Sequence, residues 1–393
     1  MANFEKLDQL LQGFVDDGLP GCAMQIVQHG KTIYEGYFGY ADIENKKPVT
    51  KDSLFRLASM SKIPLFTAAM MLYEQGRFNL TDPVGDYLPE WKDCKRFDRH
   101  PNGEMMIVPV QHPMTVGDIL SMKCGLPYCN SDAFTEDPTL RTMQEIMRPL
   151  WKKGHFTVQE HIAAMSKAIL AYEPGSMWTY GFSSEITAAF LEVVSGKDID
   201  TLLKDLIYDP LGMNNTRPRF FEGAQERMVT MYQWGKDGKV KPTVSPMDEK
   251  HLPGEEHTMG WGRLFSNVND YGKLMGMLAN GGVYDGKQIM GRKTIDLMRA
   301  NGLSGDALAC FQDDGYPYNA GYGYGYGVRT LIDKAAANHN GSLGAFGWTG
   351  GFGTWCEADP EEGVGLVYMH NTAPNKEVYY HHRVRTVAYG CLD

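Results

Sequence analysis

The stretch Phe55-Arg56-Leu57-Ala58-Ser59-Met60-Ser61-Lys62 runs into residues 65–75, where Phe66, Ala69, Met70 and Tyr73 recur at spacings of three and four. That spacing puts them on one face of an α-helix. Gly76 is the expected C-terminal cap, and Pro64 stands near the start, where a missing N–H costs least. The helix is therefore expected to open at Ser59, with Lys62 three residues on along the same face. A serine and a lysine so placed suit nucleophilic catalysis. The helix N-terminus favours negative charge developing nearby. A desolvated lysine loses its proton more readily and can then take the proton of a serine hydroxyl. Alone, Ser-x-x-Lys is a weak signal that reads equally as a helix cap followed by a surface lysine.

Working outward, Phe4, Leu7, Leu10, Leu11, Phe14 and Val15 mark an amphipathic first helix that ends near residues 18–20. Residues 22–28 and 32–40 read as two strands joined by a turn at His29-Gly30. From about residue 80 to 255 strand signals thin out. Helical patterns occupy 116–122, 139–152, 158–170, 184–195 and 199–207. After a further helix at 268–279, strand signals return at 321–332, 351–358 and 364–370, with a turn at 359–363. Residues 377–388 close the chain as a helix. Gly321-Tyr322-Gly323-Tyr324-Gly325-Tyr326-Gly327 reads as one strand with tyrosines on a single face. Hairpins at both ends, without strand–helix alternation, predict an α+β fold built on an antiparallel sheet. Residues 1–79 and 256–393 are expected to form one sheet domain, with 80–255 inserted as a mostly helical domain.

Composition narrows the function. With 38 Lys+Arg against 48 Asp+Glu the net charge is −10, which disfavours nucleic acid or an anionic membrane as partner. The mildly basic residues 92–99 read as a solvated loop. Cys22, Cys94, Cys124, Cys129, Cys310, Cys356 and Cys391 are odd in number, irregularly spaced and lack a Cys-x-x-Cys pair, which fits a reducing, cytoplasmic setting. Residues 1–17 do not read as a signal peptide, and no apolar run predicts a membrane span. Gly281 to Lys287 copies part of a phosphate-binding loop but has Gln288 where a hydroxyl is needed, so it reads as a turn. No His-Glu-x-x-His occurs, His381 and His382 point to different helix faces, and neither a metal nor another cofactor is expected. A Gly-x-Ser-x-Gly nucleophile elbow is absent.

Taken in order, the motifs along the chain resemble the serine β-lactamase and penicillin-binding-protein superfamily. The stretch from Phe55 to Lys62, followed by Thr67-Ala68, is similar to its nucleophile helix. Thr115-Val116-Gly117-Asp118-Ile119-Leu120 with Cys124-Gly125-Leu126-Pro127-Tyr128 resembles the region that precedes its second box. Glu173-Pro174-Gly175, Trp178 and Tyr180 resemble that box itself. Asp209-Pro210-Leu211-Gly212-Met213 follows. So do Gly260-Trp261-Gly262-Arg263-Leu264-Phe265-Ser266, Asp270-Tyr271 and Asn280-Gly281-Gly282. Gly347-Trp348-Thr349-Gly350-Gly351 stands where the third box is expected. The resemblance implies a β-lactamase-like fold, with the active site between sheet and insertion. It implies Ser59 as acylated nucleophile, with Lys62 and Tyr180 as its proton partners; which of the two is the base stays open, because coupled groups titrate as a unit. The oxyanion hole would use the backbone N–H groups of Ser59 and Gly351.

Departures from the pattern shape the substrate expectation. Phe182 replaces the usual Asn of the second box, and Cys124 the usual Ser of the preceding region. Trp348 stands where β-lactamases and peptidases carry a Lys or His that pairs with a substrate carboxylate. Trp-x-Gly resembles the family VIII carboxylesterases. Trp348, Gly350, Tyr128 and Phe182 are the candidate substrate-binding residues, and Cys124 reads as a packed thiol. The expectation is a serine hydrolase acting as a carboxylesterase or acyltransferase on small esters. The alternatives are β-lactamase or D-amino-acid peptidase activity, or a non-catalytic penicillin-binding-like sensor.

Overall fold

The first hairpin forms as strands Gly21–Gln28 and Lys31–Asp42, with a bulge between Ile26 and Val27. The computed structural model describes residues 3–129, 131–245, 247–252, 263–313 and 319–392. In it the hairpin belongs to an eight-stranded sheet whose neighbours are all antiparallel. The spatial order is Tyr322–Tyr324, Arg329–Leu331, Phe346–Gly350, Thr354–Asp359, Val364–Met369, Gly21–Gln28, Lys31–Asp42 and Lys47–Pro48. Early and late segments of the chain meet at the pairing of Gly21–Gln28 with Val364–Met369, where Ala23 faces Met369 and Gln28 faces Val364.

Strand alternation gives this sheet two apolar faces. Cys22, Met24, Ile26, Leu366 and Tyr368 pack with Leu7, Leu11 and Phe14 of the helix Glu5–Asp16 and with Val384 and Ala388 of the helix Glu377–Tyr389. Ala23, Val367 and Met369 join the larger core, which includes the helices Lys62–Glu74 and Val268–Ala279. The second of these lies so close to the sheet that a Cβ on Gly365 would meet the Gly276 amide nitrogen at 2.6 Å. The helix Lys62–Glu74 is buried on every side from Lys62 to Leu72, not along one face. It has no solvent side because Ser183–Ser195 packs against it as well.

Several elements differ from the sequence expectation. Residues 92–99 are not a solvated loop: Lys95–Arg99 pairs antiparallel with Met105–Pro109 and parallel with Ile169–Leu170. Its basic character is absorbed locally, since Arg96 meets Glu173 at 2.7 Å and Asp98 at 2.9 Å. The helix expected over 158–170 stops at Met165 because Ile169–Leu170 joins this small sheet. The helix expected over 199–207 changes at Lys204 into a wider π-helical turn, Lys204–Tyr208. Residues 321–332 are a hairpin of Tyr322–Tyr324 and Arg329–Leu331, not one strand. A second small sheet, Met231–Trp234, Val240–Thr243 and Thr372–Ala373, was not expected at all. Gly281 to Lys287 is a turn into a short hairpin, as read. Gly260-Trp261-Gly262 lie outside the described residues. The seven cysteines form no disulfide, and no helix among the described residues is long and apolar enough to cross a membrane.

The C-terminal helix is fastened to the sheet by polar contacts as well as packing. The Tyr389 hydroxyl lies 3.0 Å from both Glu357 Oε1 and Asp359 Oδ2. Burial pushes the Glu357 carboxyl up, but His339, Arg385 and Tyr389 outweigh it and hold the carboxyl at about 2. Tyr389→Phe removes these contacts while His339 and Ser342 remain on the two carboxylates, so it is expected to cost about 0.5–1.5 kcal/mol, read as a lower urea midpoint. Because the Glu357 pKa is depressed below its ordinary 4.5, its contribution is complete above that value and is lost as pH falls toward about 2. Burial likewise depresses His370 from 6.5 to about 3, so both groups make Tm fall on acidification, and Glu357→Gln should flatten the lower part of that curve.

Candidate active site

Ser59 does not open the α-helix. Phe55–Arg56 is a two-residue strand paired with Phe265–Ser266, Ala58–Ser61 is a turn of 3-10 helix, and the α-helix begins at Lys62. The cause lies at Ala58, whose φ of +46° is left-handed and unfavourable for a residue with a Cβ. The surroundings hold it there. Arg56 N donates to Asn371 Oδ1 at 2.9 Å, and Asn371 Nδ2 donates back to Arg56 O at 3.1 Å. Leu57 N donates to Leu264 O at 2.9 Å, and Thr354 Oγ1 donates to Leu57 O at 3.0 Å. Tyr271 OH donates to Met60 O at 2.6 Å. Ser61 accepts from Leu264 N at 3.1 Å and so belongs to the scaffold, while Ser59 stays partly exposed.

Around this turn the structure brings Ser59, Lys62, Tyr180, Tyr128 and Trp348 together. Lys62 is 1% exposed, and its Nζ donates to Ser59 Oγ at 3.3 Å. The same Nζ lies 5.2 Å from the centre of the Tyr180 ring and 5.5 Å from that of Tyr128, within cation–π range. The two tyrosine rings meet edge to face at 5.3 Å. Trp348 Nε1 donates to Tyr180 OH at 3.0 Å. An indole N–H is a donor only, so the phenol oxygen accepts here. Tyr324 packs edge to face on Trp348 at 5.5 Å, and the Arg329 guanidinium covers it at 5.7 Å.

The remaining candidates fall differently. A Cβ on Gly350 would lie 2.1 Å from Leu57 O and from Thr354 Oγ1. The backbone that approaches Gly350 is therefore the turn that bears Ser59, where the sequence suggested a substrate. Gly351 is exposed, and a Cβ there would meet nothing within 4 Å. Phe182 is buried and packs edge to face on His161 at 4.9 Å. Cys124 is a packed thiol, pushed up to about 11 by burial. Tyr128 and Phe182 help line a cavity of about 360 Å³ among the helices Pro138–Lys153, Val158–Met165 and Ser183–Ser195, with Met147, Trp151, Phe156 and Met165 in its wall. Glu185 also lines it, 1% exposed, with its carboxyl pushed up to about 7 by burial. Sequence reading missed Glu185. The only signal was an acid within the uninterrupted buried run from Ser183 to Leu191, which looks from the sequence like an ordinary first-turn acid. Among the described residues no group of three or more His, Cys, Asp or Glu side chains could hold a metal ion.

A serine hydroxyl bonded to a buried lysine beneath a tyrosine is the equipment of a serine hydrolase. The family model described as Beta-lactamase matches residues 7–389, and the chain belongs to that family. An uncharacterized protein of Mycobacterium tuberculosis is 27% identical over 363 residues, covering 92% of this chain and 88% of the relative. Esterase EstB of Burkholderia gladioli is 27% identical over 367 residues, covering 90% and 86%. Among solved structures, EstCE1, described as a hydrolase with promiscuous acyltransferase activity, superposes with a TM-score of 0.81 at 24% identity, covering 98% of both chains. The protein is thus an enzyme of the serine-hydrolase class on a β-lactamase-like fold.

The contact at Gly350 generates a paired prediction. Gly350→Ala must displace the Ser59 turn and should lower ester turnover at least tenfold, about 1.4 kcal/mol in the barrier. Gly351→Ala, with open space for its methyl, should leave Tm unchanged. Steady-state kinetics and thermal unfolding of the two variants check this.

Proposed function

We propose that the protein is a carboxylesterase or acyltransferase acting on small esters through an acyl-enzyme on Ser59. The observation that carries this reading is the hydrogen bond from Trp348 to Tyr180. An uncharged indole, its one donor already engaged, occupies the position where a cation would pair with the carboxylate of a β-lactam or peptide. Esters need no such partner, and an alkoxide leaves more readily than an amine. The esterase among the relatives supports the same reading.

In the proposed reaction Ser59 Oγ bonds to the ester carbonyl carbon while its proton passes to the Lys62–Tyr180 pair. The backbone N–H groups of Ser59 and Gly351 receive the oxyanion. The carbon–oxygen bond to the alcohol then breaks, and the leaving alkoxide takes the proton from that pair. Water releases the acid, or a second alcohol carries the acyl group away. Tyr128, Phe182 and the cavity behind them supply the wall for the acyl group, so residues 80–255 act as the specificity element. Seven thiols without a disulfide support a reducing, cytoplasmic location.

Turnover of p-nitrophenyl acetate and butyrate by the wild type, with loss of at least a thousandfold in Ser59→Ala and little cleavage of a chromogenic cephalosporin, is the expected result. Efficient cephalosporin cleavage would overturn the role given to Trp348. Turnover unaffected by Ser59→Ala would overturn the nucleophile. Narrowing the cavity with Met147→Phe should lower kcat/KM for p-nitrophenyl octanoate roughly tenfold relative to acetate, the scale of a methylene or two in an apolar pocket.

A further inference from the structure

The turn that follows Gly350 is held from behind. Gly351 is exposed, and a Cβ there would meet nothing within 4 Å, so nothing on its open side fixes the direction of its N–H. Among the described residues three hydrogen bonds to carbonyls of the turn do so. Gly353 N donates to Gly350 O at 2.9 Å and closes the turn, and Thr372 N donates to Phe352 O at 2.9 Å. His381 Nε2 lies 3.1 Å from Gly353 O. A carbonyl only accepts, so this ring nitrogen carries the hydrogen. Of the three donors, His381 alone is a side chain.

His381 is the inward member of the adjacent His381-His382 pair on the helix Glu377–Tyr389: it is buried, while His382 is partly exposed. Its ring lies between those of Trp355, at 6.3 Å, and Tyr368, at 5.9 Å. Burial lowers its pKa well below the ordinary 6.5, so it is neutral. Glu377 Oε2, at 3.8 Å from its Nδ1, is beyond hydrogen-bond reach. A second buried imidazole closes the floor. Gly353 has φ +107°, and a Cβ on it would overlap the His370 ring. That ring is pinned in turn, since Nε2 donates to Asn375 O at 3.0 Å and Nδ1 accepts from the Tyr368 hydroxyl at 3.1 Å. A phenyl ring would fill the place of His381 without bringing a polar group into the core, which is costly unless it is bonded. The bond that His381 makes is to the turn.

Resting on the proposed role of the Gly351 N–H as an oxyanion donor, we propose that His381 is a positioning residue for that donor: its Nε2–H fixes Gly353 O and so aims the Gly351 N–H at the substrate oxygen that becomes negative. The other end of the turn is Gly350, packed on Leu57 O. The contacts therefore run without a break from the turn that bears Ser59, through Gly350 and Gly353, to the C-terminal helix. An oxyanion donor acts best when it needs no reorganisation during the reaction, and a misplacement of about 1 Å can cost about a hundredfold in rate.

Two variants of the full-length chain separate aiming from packing. His381→Phe keeps the ring and loses the N–H, whereas His381→Gln loses the ring and keeps an N–H near the place of Nε2. The readouts are kcat and KM for p-nitrophenyl butyrate and the inhibition constant of phenylboronic acid, whose boron takes the Ser59 oxygen and puts a negatively charged oxygen where the oxyanion would sit. His381→Phe should lower kcat about tenfold or more, leave KM within about twofold, and weaken phenylboronic acid about tenfold or more. His381→Gln should stay within about threefold of wild type in all of these. A packing role gives the reverse order. His381→Phe equal to wild type, or His381→Gln as impaired as His381→Phe, overturns this inference alone. A wild type that hydrolyses the ester through Ser59 but is not inhibited by phenylboronic acid overturns the oxyanion role of Gly351 and this inference with it, leaving the nucleophile standing. Should thermal unfolding show His381→Phe unfolded, His381→Asn, whose shorter amide falls short of Gly353 O, takes its place, and equality with His381→Gln overturns the proposal.

Discussion

The structure of the site depends on a backbone contact with no room for a side chain on one partner. Leu57 O faces Gly350 at a distance that even a methyl group would violate, and Thr354 Oγ1 closes the contact with a hydrogen bond. Asn371 pins the preceding residue by satisfying both the N–H and the C=O of Arg56. With Leu264 O, which accepts from Leu57 N, these bonds come from three separate segments, and together they overdetermine the turn that holds Ala58 at a positive φ. Strain of order 1–3 kcal/mol persists in a native structure only under such overdetermination. Its effect is to lift Ser59 out of the regular helix while Lys62 starts that helix, leaving the two side chains 3.3 Å apart.

Around that pair the protein uses rings more than charges. Tyr128 and Tyr180 present their faces to the Lys62 ammonium, Trp348 caps the Tyr180 oxygen, and Tyr324 and Trp178 brace the rings from behind. Aromatic packing of this kind fixes ring orientation through edge-to-face and stacked contacts. It also keeps water away from the amine. The consequence is that Ser59 and Lys62 sit against rings, with the buried Arg329 guanidinium laid over Trp348 on that aromatic wall.

Much of the fold was legible because long elements carry a period. Helices at 183–195, 268–279 and 377–389 appear within a residue or two of their expected limits, as does the first hairpin. What escaped was short or non-local. A two-residue strand such as Ile169–Leu170 or Thr372–Ala373 has no alternation to read, and its partners lie far along the chain. The Gly-Tyr repeat kept a strand-like alternation across a turn, which Gly327, at φ +78°, makes possible. Ser59, Lys62, Tyr180 and Trp348 could be singled out from residue order and type. Glu185 could not, because its significance lies in how deeply the tertiary structure buries it.

The central sheet joins strands from early and late parts of the chain, with Gly21–Gln28 against Val364–Met369. On the ribosome, therefore, the turn bearing Ser59 emerges long before the strands and Asn371 that shape it. Until those last segments arrive, Ala58 has no reason to hold its strained conformation and Lys62 no buried place to occupy. The nascent chain is consequently without the Ser59–Lys62 arrangement, which forms only once folding closes this long-range pairing. Such non-local closure is intrinsically slow. It delays the pairing of Ser59 with Lys62 until the molecule around it is whole.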